Sequence, residues 1–173
     1  MKKIFLLLTL ILPFSLNIVA QKSLIDEKYG FKTIKLGSPK SAFQGLSLFQ
    51  EQGDMKTYSY LPDDNNLYYV FDKKFDIIYL YFDKTNSLIS IMLSKVFTGY
   101  ESFKNALDYS KSTIDKFSSA FGEYDAVDKE TFQIGVVWYG KKTSYAVGTL
   151  YFGIQKSESA LIVSKLQELS SGF

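Results

Sequence analysis

Residues 75–82 constrain the fold more than any other segment. Alternate residues of a strand point to opposite faces, and here both faces carry apolar or aromatic side chains. Aliphatic residues and Phe82 share one side of the predicted strand, and Tyr79 and Tyr81 share the other. A short apolar run of this kind is typical of a strand in the interior of a sheet. Turn-rich sequences separate it from similar segments, which predicts an antiparallel arrangement. Further strands are predicted at residues 29–36, 46–51, 56–61, 67–71, 88–96, 131–139 and 143–154.

Two helices complete the predicted fold. Thr98 and Glu101 have the spacing of a capping box, apolar residues then recur at helical spacing as far as Phe121, and Gly122 ends the helix. A final helix is predicted from Ser157 to about Ser170. The fold class expected is α+β, an antiparallel β-sheet meander with one long helix and a C-terminal helix packed on one face.

The first twenty residues have the features of an export signal. Lys2 and Lys3 precede an apolar run at residues 4–12, and Ala20 offers a small residue for cleavage. A membrane anchor is the alternative, but the apolar part is shorter than the roughly 20 residues that a spanning helix needs. We therefore expect a signal peptide at 1–20, a flexible lead-in at 21–28, a single α+β domain at 29–173, and a periplasmic or extracellular location.

Absent residue types exclude several kinds of chemistry. The chain has no histidine and no cysteine, and every basic residue is lysine. Histidine is the common general base near neutral pH, and cysteine provides disulfides, thiolate nucleophiles and zinc ligands. Without arginine there is no bidentate partner for phosphate or guanine. No cofactor and no metal site is expected, and a lipoprotein is excluded because no cysteine lies near the cleavage point.

The charge balance argues against a nucleic-acid partner. Loss of Lys2 and Lys3 with the leader would leave 18 lysines against 18 acidic residues, and lysines alternate with acids nearly everywhere. Nucleic-acid binders normally carry a basic patch or stripe. No later stretch is apolar enough to span a membrane, so no transmembrane segment is expected in the mature chain. The sequence gives no indication of the oligomeric state.

Acidic residues offer two further candidate sites. Residues 63–66 hold oxygen ligands suited to Ca²⁺, although their spacing lacks the alternation of a calcium loop and favours a solvated turn. Asp72, Asp76 and Asp83 flank two chain reversals, and a pair of carboxyl groups can hydrolyse glycosides. Neighbouring lysines favour ordinary turn charges, so no catalytic residue is assigned.

Aromatic residues are unusually frequent, with 13 Tyr and 15 Phe in the chain. Core packing explains most of them, yet strands that are aromatic on both faces leave some rings at a surface. Tyrosine is favoured in interfaces because it adds contact area at low entropic cost. The candidate interaction surface comprises Tyr79, Tyr81, Trp138, Tyr145 and Tyr151.

Two short blocks resemble known proteins. Residues 31–39 (FKTIKLGSP) resemble a recurrent opening of small exported bacterial proteins. Residues 117–123 (FSSAFGE), with the aromatic strand at 137–139, resemble one unit of the β-lactamase-inhibitor-protein-like fold, which also occurs in the small lipoprotein of the outer-membrane assembly machinery. The resemblance covers about a third of the chain and implies a binding scaffold without naming a ligand. The lipid-attachment cysteine of that lipoprotein is missing here, so its role is not carried over.

These observations predict a non-catalytic binding protein of the bacterial cell envelope, with a protein or an envelope polymer as its partner. A carboxylate-dependent hydrolase acting on glycan is the alternative. A carrier that holds an apolar ligand between helix and sheet is a third possibility.

Overall fold

An eight-stranded antiparallel sheet and one long α-helix make up most of residues 29–166, the part of the chain that the computed structural model describes. The predicted leader at 1–20 and lead-in at 21–28 lie outside this part. The strands within it are β1 (Gly30–Phe31), β2 (Ile34–Lys35), β3 (Leu46–Gln52), β4 (Met55–Tyr60), β5 (Tyr69–Val70), β6 (Lys73–Lys74), β7 (Ile77–Phe82), β8 (Leu88–Thr98), β9 (Ala126–Val127), β10 (Ile134–Tyr139), β11 (Thr143–Tyr151) and β12 (Lys156–Lys165). The helices are α1 (Ser102–Phe121) and two 3₁₀ turns, Lys40–Ala42 and Asn65–Tyr68.

The large sheet consists of two four-stranded meanders placed side by side. Its order is β3-β4-β7-β8-β12-β11-β10-β9, and all neighbours are antiparallel. The helix connects the first meander to the second, and β12 returns to pair with β8 in the middle of the sheet. The pairs β1–β2 and β5–β6 form separate two-stranded ribbons. The predicted α+β class with a large antiparallel sheet and one long helix is confirmed.

Helix α1 covers one face of the second meander, which we call the covered face. At its C-terminal end the ring of Phe117 lies 5.4 Å from Trp138 and 5.9 Å from Tyr145, and the Trp138 Nε1 donates to the carbonyl of Gly122 at 2.9 Å. In its N-terminal half the Ser110 hydroxyl bonds to those of Ser159 and Thr149. Large apolar residues from β7, β8, β11 and β12 add to this core: Ile78, Leu80, Leu93, Val147, Leu161 and Val163.

The predicted C-terminal helix from Ser157 to Ser170 is wrong, because residues 156–165 form strand β12. Its residues alternate between the two faces: Leu161 joins the core under the helix, and Ile162 packs on the other face. Both neighbours, β8 and β11, pair with β12 along most of its length. A short apolar run fits either a strand or a helix, and here pairing on both sides decides for the strand. The rest of the predicted helix, beyond residue 166, lies outside the described residues.

The other face of the sheet we call the open face, because no helix among residues 29–166 packs on it. A smaller cluster lies there, built from five buried residues, Met92, Phe132, Val137, Ala146 and Ala160. Tyr79, Tyr81, Leu150 and Ile162 pack against it and remain partly exposed. Within the described part of the chain, no helix has both the length and the hydropathy that crossing a membrane requires.

Candidate functional site

Aromatic side chains mark one end of the open face. Tyr79 and Tyr81 are two residues apart on β7, so both side chains leave the sheet on this face. The ring of Phe49 lies 4.9 Å from that of Tyr79 and is inclined to it by 52°. Phe49 is an extra residue in β3, since the pairing with β4 passes from Leu48 to Gln50 across an irregularity. Such a bulge re-aims a side chain, and here it leaves Phe49 61% exposed beside Tyr79.

A nearly buried carboxylate lies on the same face, near the start of the interior strand β12. The side chain of Glu158 on β12 is 5% exposed, and its Oε2 accepts a hydrogen bond of 2.5 Å from the Ser94 hydroxyl. Its Oε1 lies 3.0 Å from the Nζ of Lys156, whose side chain is 52% exposed. A buried carboxylate is tolerated when it is both paired and hydrogen-bonded, as Glu158 is. Negative charge, positive charge and a hydroxyl therefore meet at one point of the open face.

Electrostatics connect this carboxylate to the two tyrosines. Burial raises the pKa of the Tyr79 hydroxyl, and the charge of Glu158 raises that pKa further. Burial likewise raises the pKa of Tyr81, with smaller contributions from Tyr79 and Glu158. Both phenols are protonated at neutral pH, as an unperturbed tyrosine also is, and can act as hydrogen-bond donors. We refer to Phe49, Tyr79, Tyr81, Ser94, Lys156 and Glu158 as the open-face site.

Small residues line the sheet next to the open-face site. Gly135, Gly148, Ala160 and Ser94 are consecutive cross-strand partners on β10, β11, β12 and β8. The ring of Phe132 lies over the two glycines, because a Cβ placed on either would come within 2.4 Å of it. The Phe132 ring therefore covers Gly135 and Gly148. Ser94, at the other end of the row, donates its hydrogen bond to Glu158.

The structure separates the five tyrosine and tryptophan residues predicted to form an interaction surface. Tyr79 and Tyr81 lie together on the open face and are half-buried. Trp138 and Tyr145 are buried under α1, on the covered face, and the hydroxyl of Tyr145 donates to the carbonyl of Gly30 at 2.6 Å. Tyr151 is exposed, but its ring packs edge-on against Phe103 of the helix. The predicted surface is thus not one patch.

The three candidate aspartates have separate structural roles. Asp72 forms an ion pair of 2.8 Å with Lys116, which lowers its pKa, and Asp76 forms one of 2.8 Å with Lys95. Asp83 accepts hydrogen bonds from Thr85 and from the backbone of Ser87 at the far end of β7. Asp76 and Asp83 therefore flank opposite ends of one strand, and the three carboxyl groups do not line a common cleft.

The acidic turn at residues 63–66 serves as a helix start. The carboxylate of Asp64 accepts from the backbone N–H of Asn66 at 2.9 Å, which begins the 3₁₀ turn Asn65–Tyr68. Across the described residues, no three acidic side chains are grouped in a way that could hold a metal ion.

The sequence pattern does not single out four residues of the open-face site, Phe49, Ser94, Lys156 and Glu158. Glu158 falls within the predicted helix that begins at Ser157, where a charge is typical of a solvated face, and Lys156 precedes that helix. Phe49 reaches the open face only because of the bulge in β3, and the residue pattern does not predict a bulge there. Ser94 has no distinguishing neighbours, although the alternation of residues 88–96 places it on the same side as Met92. The chain matches no protein-family model, no curated protein and no solved structure. Its resemblance to the β-lactamase-inhibitor-protein-like fold stays a prediction.

Proposed function

We propose that this protein is an exported, non-catalytic binding protein of the bacterial cell envelope, which recognises a protein or an envelope polymer through the open face. The observation that carries the proposal is the ring contact between Phe49, which is 61% exposed, and the half-buried Tyr79, on the same face of the sheet as the nearly buried Glu158. Rigid aromatic rings next to a few well-placed polar groups are the common composition of a recognition surface. The predicted leader supports the location.

The alternatives have less support in the described residues. A glycan hydrolase working through Asp72, Asp76 and Asp83 would need two of them in one cleft, and each is occupied elsewhere. A carrier would need space between helix and sheet, whereas Phe117, Trp138 and Tyr145 are in ring contact there. A rigid, filled interior favours a scaffold that presents a surface.

The test is capture from a native envelope extract by the immobilised protein. Joint substitution Phe49→Ser and Tyr79→Ser removes the exposed ring pair without touching the core under the helix, so capture should fall at least about tenfold. Tyr100→Ser is the matched control, because Tyr100 is 86% exposed and lies near the start of α1. Circular dichroism and a melting curve establish that both variants fold. Unchanged capture by the folded double variant would reject the open face as the binding surface.

A further inference from the structure

The open-face site carries hydrogen-bond donors that the described chain does not use. The hydroxyl of Tyr79 has no hydrogen-bond partner among residues 29–166, and that of Tyr81 reaches only the sulfur of Met92 at 3.4 Å. A thioether is a weak acceptor, so both phenols keep most of their donor capacity. A ligand on this face can satisfy them at no cost to the fold.

The ion pair makes the site electrically neutral. Glu158 is already bonded to Lys156 and Ser94, so an added cation or anion would have to compete with an existing partner. A purely apolar ligand, such as an acyl chain, would have to remove water from Lys156, which is costly for a charged group. The site therefore favours an uncharged ligand that offers hydrogen-bonding groups of its own.

Hydroxyl groups continue from the site across the face. The Ser90 and Ser164 hydroxyls lie 2.8 Å apart on the neighbouring strands β8 and β12, on the same side as Met92 and Ile162. Ser59 and Ser47 follow Tyr79 and Met92 in the cross-strand row towards the edge of the sheet. Each hydroxyl can donate and accept, which suits a ligand that also does both.

We infer that the open face binds an uncharged glycan, an inference that rests on the proposed function and specifies the partner. A sugar ring has an apolar C–H face and a rim of hydroxyls. Phe49 and Tyr79 present rings for the first, and the free phenols and the half-exposed Lys156 present donors for the second. A protein partner would need matching charges or a larger apolar area, and the site offers one compensated ion pair.

The experiment divides a bacterial envelope extract into three probes. Protease-digested polysaccharide passed through an anion exchanger gives a neutral glycan fraction, the retained polysaccharide gives an acidic fraction, and the undigested proteins form the third. Retention of each fraction on immobilised full-length protein is measured for wild type, Tyr79→Phe, Phe49→Ser/Tyr79→Ser, and the control Tyr100→Ser. Tyr79→Phe keeps the ring and removes only the hydroxyl.

We expect the neutral glycan fraction to be retained by wild type and by Tyr100→Ser. Retention should fall about threefold to tenfold in Tyr79→Phe and further in the double variant, in line with the loss of one hydrogen bond and then of two rings. Retention of only the protein or the acidic fraction, lost in the double variant, would overturn the glycan inference and leave the open face as the binding surface. Retention of no fraction, or retention that the double variant keeps, would overturn both.

Discussion

The covered face of the sheet is filled by large side chains such as Leu93, Leu161 and Trp138, whereas the middle of the open face is lined by glycine, alanine and serine. On the covered face, helix α1 removes these side chains from water. On the open face, Phe132 covers the glycines, and the rings of Tyr79 and Tyr81 stay partly exposed. The same sheet thus has one face on which most large side chains are buried and one on which burial is partial.

The difference separates stability from recognition. Complete burial of a large apolar side chain contributes about 1.5–3 kcal/mol, so the covered face supplies most of the stabilisation. The open face contributes less to folding and retains unpaired donors and an exposed ring pair. Substitutions on the covered face should therefore mainly lower the free energy of unfolding. Substitutions of the exposed open-face residues should mainly weaken binding.

The largest expected effect is on the covered face. Trp138→Ala should lower the free energy of unfolding by about 3–5 kcal/mol, since it leaves a cavity beneath Phe117 and removes the hydrogen bond to Gly122. Urea unfolding measures the change. The control is the neighbouring Tyr139→Ala, whose side chain is exposed and should cost far less. Equal losses from the two substitutions would contradict the assignment of faces.

A smaller loss should follow from filling the row of small residues on the open face. Gly148→Ala places a methyl group 2.4 Å from the Phe132 ring and 2.7 Å from the carbonyl of Ile134. We expect a loss of about 3 kcal/mol, at the upper end of the usual range for overpacking because one obstructing atom is backbone. Ser144→Ala, on the same strand and face, should stay within about 0.5 kcal/mol. A neutral Gly148→Ala would show that Phe132 does not cover the glycines tightly.

The smallest expected loss of stability comes from ionisation of Tyr145 and should appear only at alkaline pH. Burial raises the pKa of Tyr145 to about 12, whereas the unfolded chain ionises it near 10. The unfolded state then binds fewer protons above pH 10, so stability present below pH 10 is lost as the pH rises towards 12, by about 2 kcal/mol. Unfolding of wild type and Tyr145→Phe at pH 8 to 12 tests this.

At pH 8 the free energy of unfolding of Tyr145→Phe should be about 1 kcal/mol below that of wild type, because the hydrogen bond to Gly30 is lost. Above pH 10 it should fall less steeply with pH than that of wild type. Parallel pH curves for the two proteins would show that ionisation of Tyr145 does not contribute to alkaline unfolding.

The sequence predicts most of the fold where the signal is local. Strands β7 and β8 follow the two-residue alternation, and α1 ends at Gly122 as expected. Within the helix, however, the buried positions are Ser102, Ala106, Ser110, Thr113 and Phe117. The Ser110 hydroxyl is buried there against those of Ser159 and Thr149, and a pattern based on hydropathy does not detect such a contact. Strand β12 is not identified by hydropathy either, because its short apolar run fits a helix as well as a strand.

The candidate site is predictable only in part, because it depends on contacts between distant strands. Alternation shows that Tyr79 and Tyr81 share a face, but it does not show whether that face is the one on which Trp138 lies. The pairing of β12 with β8 decides this, and the two strands are separated by the whole helix. The same pairing brings Glu158 to Ser94, a contact across 64 residues of sequence.

The central claim, that the open face binds and the covered face stabilises, is tested most directly by hydroxyl-radical footprinting with and without envelope extract. Without extract, we predict modification at Phe49, Tyr79 and the exposed Tyr100, and none at the buried Tyr145. With extract, Phe49 and Tyr79 should be protected, and Tyr100 should be modified as before. Bound material that protects Tyr100 while Phe49 and Tyr79 remain fully modified would contradict the account.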